Sequence, residues 1–188
     1  MKVEMIVGSR NPAGKTARAA KAMLEGMGGG AAAGEPVFLP GLAIERCRQC
    51  DDAGWGICRS EGRCVIKDDF AGLVDRIRKA DTVIFANPVY FGDLSESLRA
   101  FLDRLRRITR HDEGKKGITG KRAAGICVAG GGGGGAPACA VSLEKVLTTC
   151  GFDVVDMVPV RRQNLETKLE LLRRTGQWLA TGPSSQDK

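Results

Sequence analysis

Histidine and aromatic residues are scarce in this chain of 188 residues. It has one histidine, His111, one tyrosine, and 5% aromatic residues in all. A lone histidine in a polar stretch provides no Ser-His-Asp arrangement, and so few aromatic side chains argue against the stacking of nucleic-acid bases. The 29 Lys and Arg exceed the 22 Asp and Glu, but they occur in short dispersed groups that are typical of solvated surfaces. We therefore expect no nucleic-acid partner.

Long hydrophobic runs are also missing. No uninterrupted apolar stretch is long enough to cross a bilayer, and the opening MKVEMIVGSR has too short an apolar run for a signal peptide. The 43% of hydrophobic residues are enough for one sizeable core. We expect a cytoplasmic protein with no membrane partner, folded as one domain over residues 1–181, with a frayed tail at 182–188.

Seven cysteines are an odd number for a chain without an export signal. Reduced thiols or metal ligands are therefore expected in place of a disulfide framework. Cys127, Cys139 and Cys150 fall on predicted strand or helix faces, which indicates core positions. The remaining four lie in a long segment without clear periodicity, 41–66, with the spacing C-x2-C-x7-C-x5-C: Cys47, Cys50, Cys58 and Cys64.

Apolar runs and helical patterns alternate five times along the chain. This alternation predicts a parallel β-sheet with helices on both faces. Asp93 and Glu96 are expected to cap the helix after the third strand, and Pro137 and Gly151 to begin and end the next one. The predicted strands are 3–8, 35–39, 82–86, 123–129 and 152–158.

Three loops rich in Gly, Pro or Asn follow strands of this sheet: GSRNPAGKT (8–16), NPVYFGD (87–93) and AGGGGGGAP (129–137). In such sheets ligands bind at the carboxyl ends of the strands. The first loop does not match the triphosphate-binding motif G-x-x-x-x-G-K-[ST], because Ser9 occupies the position of the first glycine and Gly8 is one residue too early. The only acidic residue available for magnesium is Asp156, inside the last strand. The loop suits a phosphate monoester better, although an ordinary strand-to-helix turn explains it equally well.

The stretch NPVYFGDLSESLRAFLDRL resembles the NADPH-dependent FMN reductase and iron-sulfur flavoprotein group of flavodoxin-like proteins. The matching positions are residues 88–92 and 101–104, together with the first loop and the segment CVIKDDF. The resemblance extends from residue 1 to about residue 158. This chain departs from the group by Lys15 in place of Asn and by a displaced third cysteine.

The resemblance implies a flavodoxin-like three-layer sandwich with a five-stranded parallel sheet. It also implies FMN as the cofactor, NAD(P)H as the co-substrate, and a quinone, a nitro compound or a flavin as the acceptor. The implied contacts to the FMN phosphate are Ser9, Arg10, Asn11, Gly14, Lys15 and Thr16. The implied contacts to the flavin ring are Pro88, Val89, Tyr90, Phe91, Gly92, Gly130, Gly131 and Gly132. For Phe91, packing in a core or an interface is an equal alternative, and the glycine run can also be read as a flexible loop.

The four-cysteine segment leaves a second function open, that of an iron-sulfur flavoprotein carrying electrons between protein partners. Four thiolates could hold a [4Fe-4S] cluster or zinc, and nearby arginines would offset the charge of a cluster. The negative charges of Asp51 and Asp52 would instead disfavour a negatively charged cluster, and relatives of this loop also occur without a cluster. We expect thiols without a metal. The resemblance further implies a homodimer or homotetramer.

Overall fold

The computed structural model describes residues 1–29 and 34–181. The tail expected at 182–188 lies outside the described residues.

Five parallel strands form one sheet in the order β2-β1-β3-β4-β5. This is the flavodoxin-like order, and it confirms the expected fold. Strand β3 continues two residues beyond the predicted end, because Asn87 and Pro88 still pair with Cys127 and Val128 of β4. The strands are β1 (Val3–Val7), β2 (Val37–Phe38), β3 (Thr82–Pro88), β4 (Arg122–Ala129) and β5 (Asp153–Arg161).

The helices lie on both faces of the sheet and enclose two hydrophobic cores. Helices α1 and α7 cover one face, where Met23 and Leu172 pack with Ile84 and Ile126. Helices α3, α4 and α6 cover the other face. The helices are α1 (Lys15–Gly26), α2 (Ile57–Ser60), α3 (Phe70–Lys79), α4 (Glu96–Ile108), α5 (Asp112–Lys115), α6 (Ala136–Cys150) and α7 (Leu165–Thr181). Among the described residues, none of the helices has the length and apolar character needed to cross a membrane.

The predicted cap of α4 is wrong. Its N-cap is Ser95, whose Oγ accepts a hydrogen bond from the Leu98 N–H at 3.4 Å. The Asp93 carboxylate instead accepts from the Leu94 N–H at 2.8 Å and pairs with Arg99 at 2.6 Å. A serine hydroxyl two residues after Asp93 therefore begins the helix.

Helix α6 begins and ends as expected, with Pro137 in its first turn and Gly151 at its C-cap with φ of +96°. The segment 41–66, which has no clear periodicity in the sequence, contains the short helix α2. All three predicted loops leave the carboxyl edge of the sheet. Those after β1 and β3 lie side by side, because these two strands are neighbours.

Candidate functional site

The first loop is a tight turn that leads into an uncapped helix. The Asn11 carbonyl accepts from the Gly14 N–H at 3.1 Å, and its side-chain Oδ1 accepts from the Ala13 N–H at 2.9 Å. Ser9 Oγ accepts from the Asn11 N–H at 3.3 Å. Ser9 and Asn11 therefore shape the loop through their acceptor atoms, a role that the sequence did not reveal.

The N-terminus of α1 fits an anion. Within the described chain, its N-cap Gly14 provides no side-chain hydrogen bond, and its first turn holds no acidic residue. The N–H groups of the first helical turn have no partner within the helix, and the helix dipole places partial positive charge there. Thr16 is buried in this turn, and exposed Lys15 begins the helix. A cation at this end of a helix is unfavourable unless an anion neutralises it, so the arrangement suits an anion such as a phosphate group.

The second loop is a tight turn with an aromatic residue at its tip. Tyr90 and Asp93 exchange two backbone hydrogen bonds of 3.0 and 2.9 Å. Between them, Phe91 has φ of +51° and Gly92 has φ of +80°, which are the signs of a type I′ turn. The left-handed region costs a non-glycine residue about 1 to 2 kcal/mol.

The side chain of Phe91 is fully exposed, and that of Tyr90 is half exposed. Core packing of Phe91, one of the alternatives left by the sequence, is therefore wrong. A strained backbone that presents an aromatic ring to the outside is typical of a ligand or interface contact.

The glycine run meets the second loop by close backbone contact. A Cβ built on Gly135 would lie 2.6 Å from Cα of Gly92, and one built on Gly133 would lie 2.1 Å from Oε1 of Gln163. A Cβ on Gly132, in contrast, would meet nothing within 4 Å. The run therefore has two kinds of glycine, those that permit close approach and those that border open space.

An open cleft lies between the second and third loops, with a volume of about 470 Å³. This is within the usual size range of ligand pockets. The first loop borders the same region, since Cδ of Lys15 lies 3.6 Å from a Cβ built on Gly130. The structure thus brings the three predicted loops together. The residues that line the cleft are Val89, Phe91, Gly92, Ala129, Gly131, Gly132, Gly133, Gly134 and Gly135.

Sequence reasoning missed the buried amide of Asn87 beneath these loops. Its Oδ1 accepts from the N–H and the hydroxyl of Ser95, both at 3.0 Å. Its Nδ2 donates to the Pro88 carbonyl at 2.8 Å and to Cys139 Sγ at 3.2 Å. The available signal was a polar residue before proline at the end of an otherwise apolar strand.

The four-cysteine segment is anchored at its base by two neighbouring carboxylates. Asp69 accepts from the Ala43 N–H at 2.7 Å, and Asp68 accepts from the Glu45 N–H at 2.9 Å. Arg104 of α4 forms two bonds with Asp68, of 2.6 and 2.9 Å, and its guanidinium also donates to the Glu45 carbonyl at 3.0 Å. Both ends of the segment are therefore held at α4.

The Asp68–Arg104 pair is almost fully buried. Burial alone would raise the pKa of the Asp68 carboxyl, but the bonds from Arg104, Glu45 and Phe70 hold that pKa below its usual range. Arg104 also stacks on the ring of Phe70 at 4.2 Å. The burial of Arg104 is not apparent from the sequence, because several arginines of α4 that look like surface residues surround it there.

All four cysteines of this segment line one cavity, together with Arg104, Arg107 and Trp55. Among the described residues, however, no three His, Cys, Asp or Glu side chains are grouped so that they could hold a metal ion. The arrangement therefore does not fit a single zinc ion. The four thiols therefore share a cavity without forming a preassembled metal site in the described residues.

The other three cysteines are buried, as predicted from the sequence. A hydrogen bond with Cys139, together with burial, raises the pKa of the Cys127 thiol. Burial raises the pKa of Cys150 to about 12. Cys127 and Cys150 are therefore neutral core thiols at ordinary pH.

Comparisons with known proteins identify the family of this chain. The sequence model of the NADPH-dependent FMN reductase family matches residues 1–165. An iron-sulfur flavoprotein of Methanocaldococcus jannaschii is 30% identical over 131 residues, which make up 70% of this chain and 65% of that protein. An iron-sulfur flavoprotein of Methanosarcina thermophila is 37% identical over 76 residues, which make up 39% of this chain and 37% of that protein. The chain thus spans 65% or less of these two relatives.

Among solved structures, an NAD(P)H:quinone oxidoreductase from Methanothermobacter marburgensis is similar, with a TM-score of 0.67 and 22% identity over 95% of this chain and 96% of that one. At this identity the likeness establishes the fold. The family match covers the three loops and the four-cysteine segment. The chain therefore belongs to the NADPH-dependent FMN reductase family.

Proposed function

We propose that this protein is an FMN-dependent NAD(P)H oxidoreductase that reduces a small acceptor such as a quinone, a nitro compound or a flavin. The observation that carries the proposal is the uncapped N-terminus of α1 beside an open, glycine-lined cleft. The first is suited to one terminal phosphate, and the second to a flat ring system. Family membership supports the flavin, and the name of the similar quinone oxidoreductase supports the acceptor class.

In this proposal the phosphate binds to the first loop at Ser9, Arg10, Asn11, Gly14, Lys15 and Thr16. The flavin ring contacts Pro88 to Gly92 and the glycine run, with Tyr90 and Phe91 at its edge. Bound flavin supplies the hydride chemistry, while the chain binds and orients it. Backbone N–H groups of glycines can stabilise negative charge on a reduced ring without side-chain bulk.

Steady-state kinetics test the enzyme proposal. If the nicotinamide and the acceptor use one open ring face in turn, double-reciprocal plots with NAD(P)H and a quinone should be parallel. Gly132→Leu should slow both half-reactions by about 100-fold, because the new side chain enters open space beside the cleft. FMN should stay bound to this variant, since the phosphate loop is a separate element. Intersecting lines would contradict the shared face.

Binding titrations test the phosphate loop. We expect FMN to bind more tightly than riboflavin, and Thr16→Ala to weaken FMN binding by about 1 to 3 kcal/mol through loss of a charge-assisted hydrogen bond. Riboflavin affinity should change little in this variant. Thr175→Ala, a buried threonine in α7, is the matched control and should leave FMN binding unchanged. Equal wild-type affinity for FMN and riboflavin would contradict a phosphate site.

A second candidate function is that of an iron-sulfur flavoprotein that carries electrons between protein partners. The observation in its favour is the cavity shared by the four cysteines and three arginines, Arg48, Arg104 and Arg107. The positive charge of these arginines would offset the negative charge of a cluster. The names of the two curated relatives point the same way. Reduction by a ferredoxin-like donor, with slow oxidation of NAD(P)H, would favour this function over the first.

Metal analysis separates the two functions. We expect protein purified in air to contain flavin without stoichiometric iron or zinc, because the thiols form no preassembled metal site in the described residues. The decisive measurement is iron and acid-labile sulfide in protein purified without oxygen. Iron and sulfide in the ratio of a [4Fe-4S] cluster would reverse our expectation and favour the electron carrier.

We also infer that the protein is a homodimer or homotetramer whose partner in catalysis is a small acceptor. The fully exposed ring of Phe91 beside the cleft supports an interface near the flavin, since large apolar side chains at such positions are often covered in assemblies.

A further inference from the structure

Asn87 lies where the first two loops meet, and it uses both ends of its amide. Its acceptor oxygen holds Ser95 at the start of α4, and its amide nitrogen holds the Pro88 carbonyl at the start of the second loop. The side chain is completely buried. A buried amide with all of these partners has one orientation, because rotating it would place N–H groups against the Ser95 N–H.

The same cluster contacts the first loop through Gly8. Ser97 Oγ donates to the Gly8 carbonyl at 3.2 Å and lies 3.4 Å from Ser95 Oγ. A Cβ built on Gly8 would lie 2.5 Å from Ser95 Oγ and 3.2 Å from Asn87 Oδ1. The start of the first loop is therefore packed directly against the group that fixes the second.

We propose that Asn87, acting with Ser95 and Ser97, is a positioning residue that couples the first loop to the second. A displacement of Gly8 is then transmitted through the Asn87 cluster to Pro88. The proposal rests on the proposed function in one respect, since the two loops are those assigned to the phosphate and the ring of FMN. Phosphate binding at α1 and ring binding at residues 88–92 become one cooperative event.

Buried polar clusters give this kind of coupling because each member loses its partner when another moves. If the two loops met only through apolar side chains, a shift of either loop would cost only packing energy. Here it would leave the Ser95 N–H or the Pro88 carbonyl unpaired in the protein interior, which is costly. The two loops should therefore occupy their binding geometry together or leave it together.

A double-mutant cycle on FMN affinity tests the coupling. Thr16→Ala perturbs the first loop, and Tyr90→Ala perturbs the second. In the wild-type background the two effects on Kd should deviate from additivity by roughly five-fold or more, whereas in Ser97→Ala they should combine within about two-fold. Ser97→Thr keeps the hydroxyl and should restore the coupling. Ser142→Ala on α6 is the matched control and should leave it intact.

Hydrogen exchange of the apoprotein provides a second measurement that does not require FMN. Ser97→Ala should raise the exchange rates of residues 8–14 and 89–93 together, while Ser97→Thr should leave both near wild type. Faster exchange in only one of the two loops, or an additive cycle in the wild type, would overturn the coupling. If the wild type binds no FMN, the proposed function fails, and the exchange result still decides whether the cluster of Asn87, Ser95 and Ser97 couples the loops.

Discussion

Gly135→Ala is expected to destabilise the protein by about 2 to 4 kcal/mol and to impair FMN binding strongly. Gly135 has φ of +80°, and a Cβ on it would approach Cα of Gly92 to 2.6 Å. The left-handed conformation and the overlap with backbone each contribute to this cost. Since the neighbouring atom belongs to the main chain, no side-chain rotation can relieve the clash, and the second and third loops must separate.

Gly132→Ala is the matched control within the same run. A Cβ there meets nothing within 4 Å, so both the free energy of unfolding and the FMN affinity should stay close to wild type. Chemical denaturation of the apoprotein and fluorescence titration with FMN measure the two quantities. Equal behaviour of the two variants would mean that the run is a flexible loop, the alternative reading of the sequence, and that the contact between Gly135 and Gly92 is unimportant.

The sheet was predictable from the sequence because each apolar strand is followed by a helix with a clear apolar stripe. Such alternation leaves few topologies, and parallel strands place their following loops at one edge. The meeting of residues 8–16, 87–93 and 129–137 at one site therefore followed from local patterns. The contact between Gly92 and Gly135 did not, since a glycine bordering solvent and a glycine required by close packing look the same in a sequence.

The roles of buried polar side chains whose partners are distant in the sequence could not be predicted either. Arg104 stands among several arginines of α4, and only the fold shows that it points inward to Asp68. Asn87 looked like a turn residue before proline, and its role depends on Ser95, eight positions later, and on Cys139, which lies on α6. The strain at Phe91 could not be predicted for a different reason. Type I′ turns usually carry Asn-Gly or Gly-Gly at their central positions, and this turn carries Phe-Gly.

Asp68→Asn is expected to destabilise the protein by about 3 to 5 kcal/mol at neutral pH, the usual cost of removing one partner of a buried ion pair. The substitution keeps the shape of the side chain but leaves the buried guanidinium of Arg104 without its counter-charge. Asp103→Asn is the matched control. Asp103 pairs with Arg106 at 3.0 Å in a more exposed position on α4, the helix that carries Arg104. Loss of this pair should cost less than about 0.5 kcal/mol.

The pH dependence of this difference follows from the lowered pKa of Asp68. A carboxyl whose pKa is lower in the folded state contributes its full stabilisation above its unfolded pKa of about 3.9 and loses it as the pH falls through the folded value. The gap in unfolding free energy between wild type and Asp68→Asn should thus be constant near neutrality and shrink below about pH 4. A gap that persisted unchanged in acid would show that shape, not charge, makes the contribution of Asp68.

The same variant should loosen the four-cysteine segment before it unfolds the sheet. Asp68 holds the Glu45 N–H as well as Arg104, so its replacement releases the base of the segment from α4. Alkylation followed by mass spectrometry should then find faster modification of Cys47, Cys58 and Cys64. The core thiols Cys127 and Cys150 should stay protected, because they belong to the sheet and to α6. Uniform modification of all the cysteines would instead indicate global unfolding and contradict a local anchoring role for the ion pair.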